Sequence, residues 1–186
     1  MIYDQKINAI LLGSRKINIW QFKTQETIPT SHEFPICVAL FNEKFDTVVA
    51  CDDGSNVLVW DAEKGKLMSK FAEAHDKKKI TTACFDESQR RIITCATDGS
   101  IKVWNFSNGQ LLTTMQHTDI SEVTSVIYIG ENEKNKLPFI ATGGWNKKVA
   151  IWPDDKLTVT TASKALPLEN HKGHEDDVMS LAYSED

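Results

Sequence analysis

The sequence predicts an all-β protein assembled from one four-stranded unit used about four times. Three features carry that expectation: short alternating strand patterns joined by tight turns, self-similarity along the chain, and a regular spacing of tryptophans. The clearest unit is RIITCATDGSIKVWNFSNGQLL, residues 91–112. It reads as a strand, an Asp98-Gly99 turn, a strand ending in Trp104-Asn105, an Asn108-Gly109 turn and a third strand. Ile101 and Val103 point one way, Lys102 and Trp104 the other. Both turn dipeptides favour the positive φ that short hairpins need. Three short antiparallel strands cannot bury a face alone, so something must stack against them.

The chain supplies it by repeating itself. VVACDDGSNVLVWDAEKGKLM (48–68) has the same order of strand, turn, strand, Trp-Asp, turn and strand. FIATGGWNKKVAIWP (139–153) and AILLGSRKINIWQF (9–22) repeat its first half. Trp20, Trp60, Trp104 and Trp152 are spaced 40, 44 and 48 apart. A period of that size with an aromatic-acidic mark is the signature of β-propeller blades. The chain resembles the WD-repeat family of β-propellers over nearly its whole length.

The expected blades are 1–31, 32–74, 75–116 and 117–173, with the start of a fifth at 174–186. Blade one has strands near 7–12, 16–21 and 25–29, with Gly13-Ser14-Arg15 as a turn that lacks the usual Asp. Blade two runs ICVALFN, TVVACDD, VLVWDA, KLMSKFA; blade three runs ITTACFD, RIITCATD, SIKVWNF, QLLTTMQ. Blade four runs EVTSVIYI, FIATGGW, KVAIWP, with polar, turn-rich insertions at 130–138 and 154–170 that read as surface loops. Propellers close with about four to eight blades. Met1-Ile2-Tyr3 reads as the tail of an innermost strand and DVMSLAYSED (177–186) as an innermost strand with no blade after it. The expectation is therefore a partial propeller, first and last blades incomplete, with the remaining blades in cis or in trans. Alone, such a segment would expose apolar blade faces and self-associate.

Composition excludes several classes. The net charge of −5 argues against general nucleic-acid binding. No signal peptide or run of about eighteen apolar residues is present, so no membrane role is expected. Cys37, Cys51, Cys84 and Cys95 lie inside strand patterns without metal-ligand spacing and read as buried, reduced thiols. No metal and no cofactor is expected. The Asn105-Phe106-Ser107 sequon is read as chance.

The WD-repeat resemblance implies a buried chain of hydrogen bonds in each blade, joining a His, a Ser or Thr, a turn Asp and the Trp. Indole N–H, hydroxyl, imidazole and carboxylate can satisfy one another there. Blade three offers His75, Thr94, Asp98 and Trp104 as a full set. Blade two keeps His32, Asp53 and Trp60, with Val49 in the hydroxyl position and a turn one residue longer. Blade four keeps His117, Thr142 and Trp152, with Asn146 replacing the Asp, and blade one keeps only Trp20. His174, in Lys172-Gly173-His174, matches the Gly-His mark of the family.

A His-Asp-Thr set has the parts of a nucleophilic triad, but the repeat accounts for its spacing and the hydroxyl lies within a strand. Asp52-Asp53-Gly54-Ser55-Asn56 lacks the alternating oxygens and distal Glu of a calcium loop. The innermost strands VALF, TACF and TSVI offer only apolar and hydroxyl side chains to a central channel. No catalytic residue is expected. Trp145 is the residue the scaffold does not explain. With Lys147 and Lys148 beside it, it suits a partner-binding anchor, and Lys77, Lys78 and Lys79 could extend a basic strip toward an acidic partner.

The expected function is a non-catalytic protein-interaction scaffold. ALFNEKFDTVVACDD (39–53) and ITTACFDESQRRIITCATDGSIKVWNFSNGQLL (80–112) resemble large WD-repeat proteins associated with cilia and flagella. That resemblance implies a structural or docking role in the axoneme, with axonemal or cytoskeletal subunits as partners. The alternatives are a cytoplasmic adaptor, such as a ubiquitin-ligase substrate receptor or a trafficking coat, and last an enzyme with a central-channel site.

Overall fold

The computed structural model describes residues 32–117, 120–132, 137–154 and 173–184 together with the strands of 2–31 and 166–167. The expected turn at Ser14-Arg15 and the centres of both blade-four insertions lie outside the described residues. The chain divides into two compact units, Met1–Ile80 and Thr81–Asp186. Among the described residues every regular element is a strand.

The first unit holds β1 (Ile2–Asp4), β2 (Ala9–Gly13), β3 (Lys16–Gln21) and β4 (Thr27–Ser31), then β5 (Ile36–Asn42), β6 (Thr47–Asp52), β7 (Val57–Asp61) and β8 (Leu67–Phe71). The second holds β9 (Ile80–Phe85), β10 (Arg91–Ala96), β11 (Ser100–Asn105) and β12 (Leu111–Gln116), followed by β13 (Val123–Ile129), β14 (Phe139–Gly144), β15 (Val149–Pro153) and β16 (Leu166–Pro167). Each group of four is one sheet in simple sequence order. This is the up-and-down plan of a propeller blade, and the fold is that of a partial β-propeller.

Central strands are buried on both faces. Thr47–Asp52 is buried throughout, and in β11 Ile101, Val103 and Trp104 are all buried. The alternation of β11 places Lys102 and Trp104 on one face, with the Lys102 ammonium 5.9 Å over the Trp104 ring, and Trp104 is buried on that face as well. In the second unit one core joins the two sheets, with Ile93, Ile101 and Val103 packed with Val123, Ile140 and Trp152. The first unit has its own cluster around Val48, Leu58 and Trp60.

The turns explain the recurrent Trp-Asp mark. Asp61 Oδ1 accepts the N–H groups of Glu63 and Lys64, and Asn105 Oδ1 accepts that of Ser107, so the polar residue caps the turn while the preceding Trp is buried. Gly65 (φ 63°) and Gly109 (φ 68°) take the left-handed position each turn requires. Pro153 stands at the capping place in the fourth sheet and cannot cap.

Two of the innermost strands, β5 and β13, carry a bulge. The register shifts at Cys37 in β5 and at Thr124 in β13. The bulged side chain turns back to the neighbouring strand: Cys37 Sγ–H donates to Cys51 O (3.2 Å) and Thr124 Oγ1 to Gly143 O (3.2 Å). Thr81 does the same to Cys95 O (3.2 Å). Thr81 also donates to Val123 O and Thr124 to Val178 O, which links consecutive innermost strands within the second unit. Residues 177–184 therefore follow the path of an innermost strand without strand pairing of their own.

Candidate protein-interaction rim and its buried support

The left-handed residue of the middle hairpin turn organises the rim. Ser55 (φ 68°), Gly99 (φ 80°) and Lys147 (φ 61°) occupy the same turn position. Each carbonyl receives the loop that leads to the next blade: Ala74 N–H donates to Ser55 O, His117 N–H to Gly99 O and His174 N–H to Lys147 O. The histidine-bearing loops thus hang on these turns.

In the fourth sheet the histidine reaches a complete buried relay. Trp152 Nε1 donates to Thr142 Oγ1 (2.8 Å), and His117 Nε2 lies 3.0 Å from the same oxygen. Asn146 Nδ2 faces His117 Nδ1 at 3.5 Å. With the amide as donor, Nδ1 accepts and Nε2–H donates to Thr142. The imidazole also stands edge-on to Trp152, with centroids 5.0 Å apart.

In the third sheet Trp104 Nε1 donates to Thr94 Oγ1 (2.9 Å). Asp98 Oδ1 accepts both the N–H (3.0 Å) and the hydroxyl (2.6 Å) of Ser100. These three belong to the second unit. His75 belongs to the first, where it is buried and its N–H donates to Ser55 Oγ (2.7 Å).

The second sheet departs from the sequence reading. His32 Nδ1 pairs with Asp52 Oδ2 at 2.8 Å, whereas Asp53 pairs with Lys79 at 3.1 Å. The turn is not longer. Strand register aligns Gly54 with Asp98, so the carboxylate comes from Asp52 at the strand end, where Asn56 Nδ2 also holds it. Register likewise places Ala50, not Val49, at the hydroxyl position, two residues beyond the partner of Trp60. His32 Nε2 is consequently buried without a hydrogen-bond partner. Ala50→Thr should therefore raise stability by about 1 kcal/mol by giving that nitrogen a hydroxyl, read as an upward shift of the urea midpoint at constant m-value.

Trp145 is 54% exposed, with its N–H anchored to Glu122 O (3.0 Å). The anchor depends on Gly144, because a Cβ there would fall 2.1 Å from Glu122 O. Each set of lysines is engaged within its own unit. Lys77 pairs with Glu73 (3.6 Å) and Lys79 with Asp53, both in the first unit. Lys147, in the second, donates to Glu175 O (2.7 Å) and lies 3.9 Å from Asp176. Lys148 caps its turn through its N–H on Asn146 Oδ1, and Lys78 N–H donates to His75 O.

At the other end of the strands the structure shows a cluster that sequence reasoning missed. Arg91 makes two bonds to Asp154 (2.9 and 2.5 Å) and one to Asp86 (3.1 Å), and Tyr128 OH donates to Asp154 (2.8 Å). Hydrogen bonds donated to Asp154, opposed by burial, push the guanidinium still further above its usual range. Burial first, then acceptance by Asp154, raises the Tyr128 phenol. The signal was present in the repeat: Asp154 stands where Ala62 and Phe106 stand in the other blades, a charge in an apolar place.

All four cysteines are free, Cys51 and Cys95 buried and Cys37 and Cys84 half-buried. Burial pushes Cys84 up to about 12, and burial with the Asp53 carboxylate does the same to Cys37. Burial raises Cys51 and Cys95 as well. The sign follows directly. Below about pH 9 the thiols are neutral in both states; above it the unfolded chain loses protons that the folded chain keeps, so stability falls. Between pH 9 and 12 each such thiol should lower stability by up to about 1.4 kcal/mol per pH unit. Cys95→Ala should flatten the alkaline slope of the unfolding free energy.

Comparison with known proteins agrees with this geometry. Residues 65–105 match the family model "WD domain, G-beta repeat". The chain is similar to a WD repeat-containing protein on Y chromosome from Anopheles gambiae, 28% identical across 98% of this chain. It spans only 17% of that relative's length. Four sheets of one plan, the buried Trp–Thr pairs and the matched repeat define a β-propeller protein. Residues 65–105 carry a WD repeat, the other sheets follow the same plan, and WD repeats indicate a protein-interaction scaffold.

Proposed function

We propose that this protein is a non-catalytic docking scaffold of the ciliary or flagellar axoneme, and that Trp145 anchors a protein partner. The observation that carries the docking surface is Trp145 itself: a large aromatic held outward by a rigid turn, beside a buried relay that fixes the same hairpin. Aromatic side chains in such positions dominate interface energetics. The axonemal placement rests on the resemblance of residues 39–53 and 80–112 to large ciliary WD-repeat proteins. Partners there would be subunits of the tubulin-based machinery.

The test is retention in demembranated, salt-washed axonemes. The wild-type protein should remain with the axoneme. Trp145→Ala should shift it to the wash by about tenfold without changing its thermal unfolding. Recovery of the wild type wholly in the soluble fraction would reject the axonemal reading. Retention of the variant at wild-type level would reject Trp145 as the anchor.

A further inference from the structure

We infer that the second unit carries a separate binding cleft for a lysine or arginine side chain supplied by a basic segment of a partner protein. The cleft, about 220 Å³, lies at the Ile129 end of β13, away from the strand ends that bear Trp145. Its walls include the rings of Phe85, Tyr128 and Tyr183, and its rim carries Glu87, Glu131 and Asn132.

The rings arrive there because the repeat places them. Phe41 faces Val48 and Tyr128 faces Ile140, each opposite the residue that pairs with the blade's tryptophan. Thr124 on Val178 O sets 177–184 in the same phase, which brings Tyr183 to the place of Tyr128. Its hydroxyl accepts from Asn132 Nδ2 (2.6 Å), so the ring is fixed at the mouth. Gly130 keeps the mouth open: a Cβ there would fall 2.5 Å from Glu87 Oε2.

Charge then selects the occupant. Asp86 is neutralised by Arg91, and Arg91 is consumed by Asp86 and Asp154. Among the described residues, neither Glu87 nor Glu131 makes an ion pair, and both are exposed. Two carboxylates over aromatic faces attract an alkyl cation, by charge at the head and ring contact along the stem. The structure already shows this preference, since the Arg91 guanidinium lies 5.9 Å over the Tyr128 ring. The inference stands apart from the role of Trp145, because no residue is shared.

The test uses fluorescein-labelled hexalysine and hexaarginine in anisotropy titrations, with hexa(acetyl-lysine) as the uncharged control. The wild type should bind the basic peptides and not the control. Glu87→Gln with Glu131→Gln should weaken binding about tenfold, and Tyr183→Ala should also weaken it. Glu43→Gln with Glu63→Gln makes the same change of net charge on the first unit and should leave affinity within about twofold. Thermal unfolding of each variant verifies the fold. Equal losses in the two double variants would reduce the effect to net charge and overturn the inference, as would undiminished binding by the Glu87/Glu131 variant and by Tyr183→Ala.

Discussion

Thr142→Val should destabilise the second unit by about 3 kcal/mol, because the hydroxyl is lost while shape is kept and two buried donors are orphaned. Trp152 Nε1–H loses its acceptor at 2.8 Å and His117 Nε2–H loses its own at 3.0 Å. Thr142 and Trp152 are both fully buried, so water cannot replace the hydroxyl without opening the sheet. Thr142→Ser keeps the oxygen and should cost about 1 kcal/mol, the loss of one buried methyl. Chemical denaturation of both variants measures the difference. Equal costs for valine and serine would mean that the relay contributes nothing beyond packing. Damage should extend to the rim, since His117 also meets Asn146 in the turn beside Trp145.

Arg91→Ala should cost a further large increment, about 3 kcal/mol, through a different mechanism. The guanidinium is 20% exposed and holds Asp86 and Asp154, whose side chains are 4% and 11% exposed. Its removal leaves two carboxylates nearly buried without their cation. Arg91→Lys restores charge but not the two-pronged contact with Asp154, so it should recover only part of the loss. Because the pair is largely withdrawn from solvent, the cost should persist at 0.5 M salt, where an exposed pair would be screened. A loss that disappears with salt would place the cluster among ordinary surface pairs.

Much of the architecture was legible because it rests on local chemistry. Turn residues, strand patterns and the tryptophan period mark the middle blades closely: ICVALFN became β5 and SIKVWNF became β11. The details of the second blade were not legible. Asp53-Gly54 looks like the turn Asp-Gly of its neighbour, yet register assigns the working carboxylate to Asp52 and the empty hydroxyl place to Ala50. A one-residue shift flips a strand side chain to the other face, so sequence alignment alone cannot make that choice. The Arg91 cluster was only half marked, by the charge of Asp154 in an apolar place of the repeat and not by any sign of its partner. Arg91 and Asp154 are 63 positions apart, and nothing local marks their pairing. The lysines read as a run of charge, and what the sequence did not show is that Lys77, Lys79 and Lys147 each meet a different carboxylate within their own unit.

The most direct test is exchange of the tryptophan indole N–H protons, followed by NMR on the protein with Trp104, Trp145 and Trp152 assigned. A scaffold with buried Trp–Thr pairs and one outward anchor predicts slow exchange at Trp104 and Trp152, near the global unfolding limit, and immediate exchange at Trp145. Fast exchange at Trp152 would contradict the buried relay. Slow exchange at Trp145 in the isolated protein would show that ring to be covered and would remove it as the docking anchor.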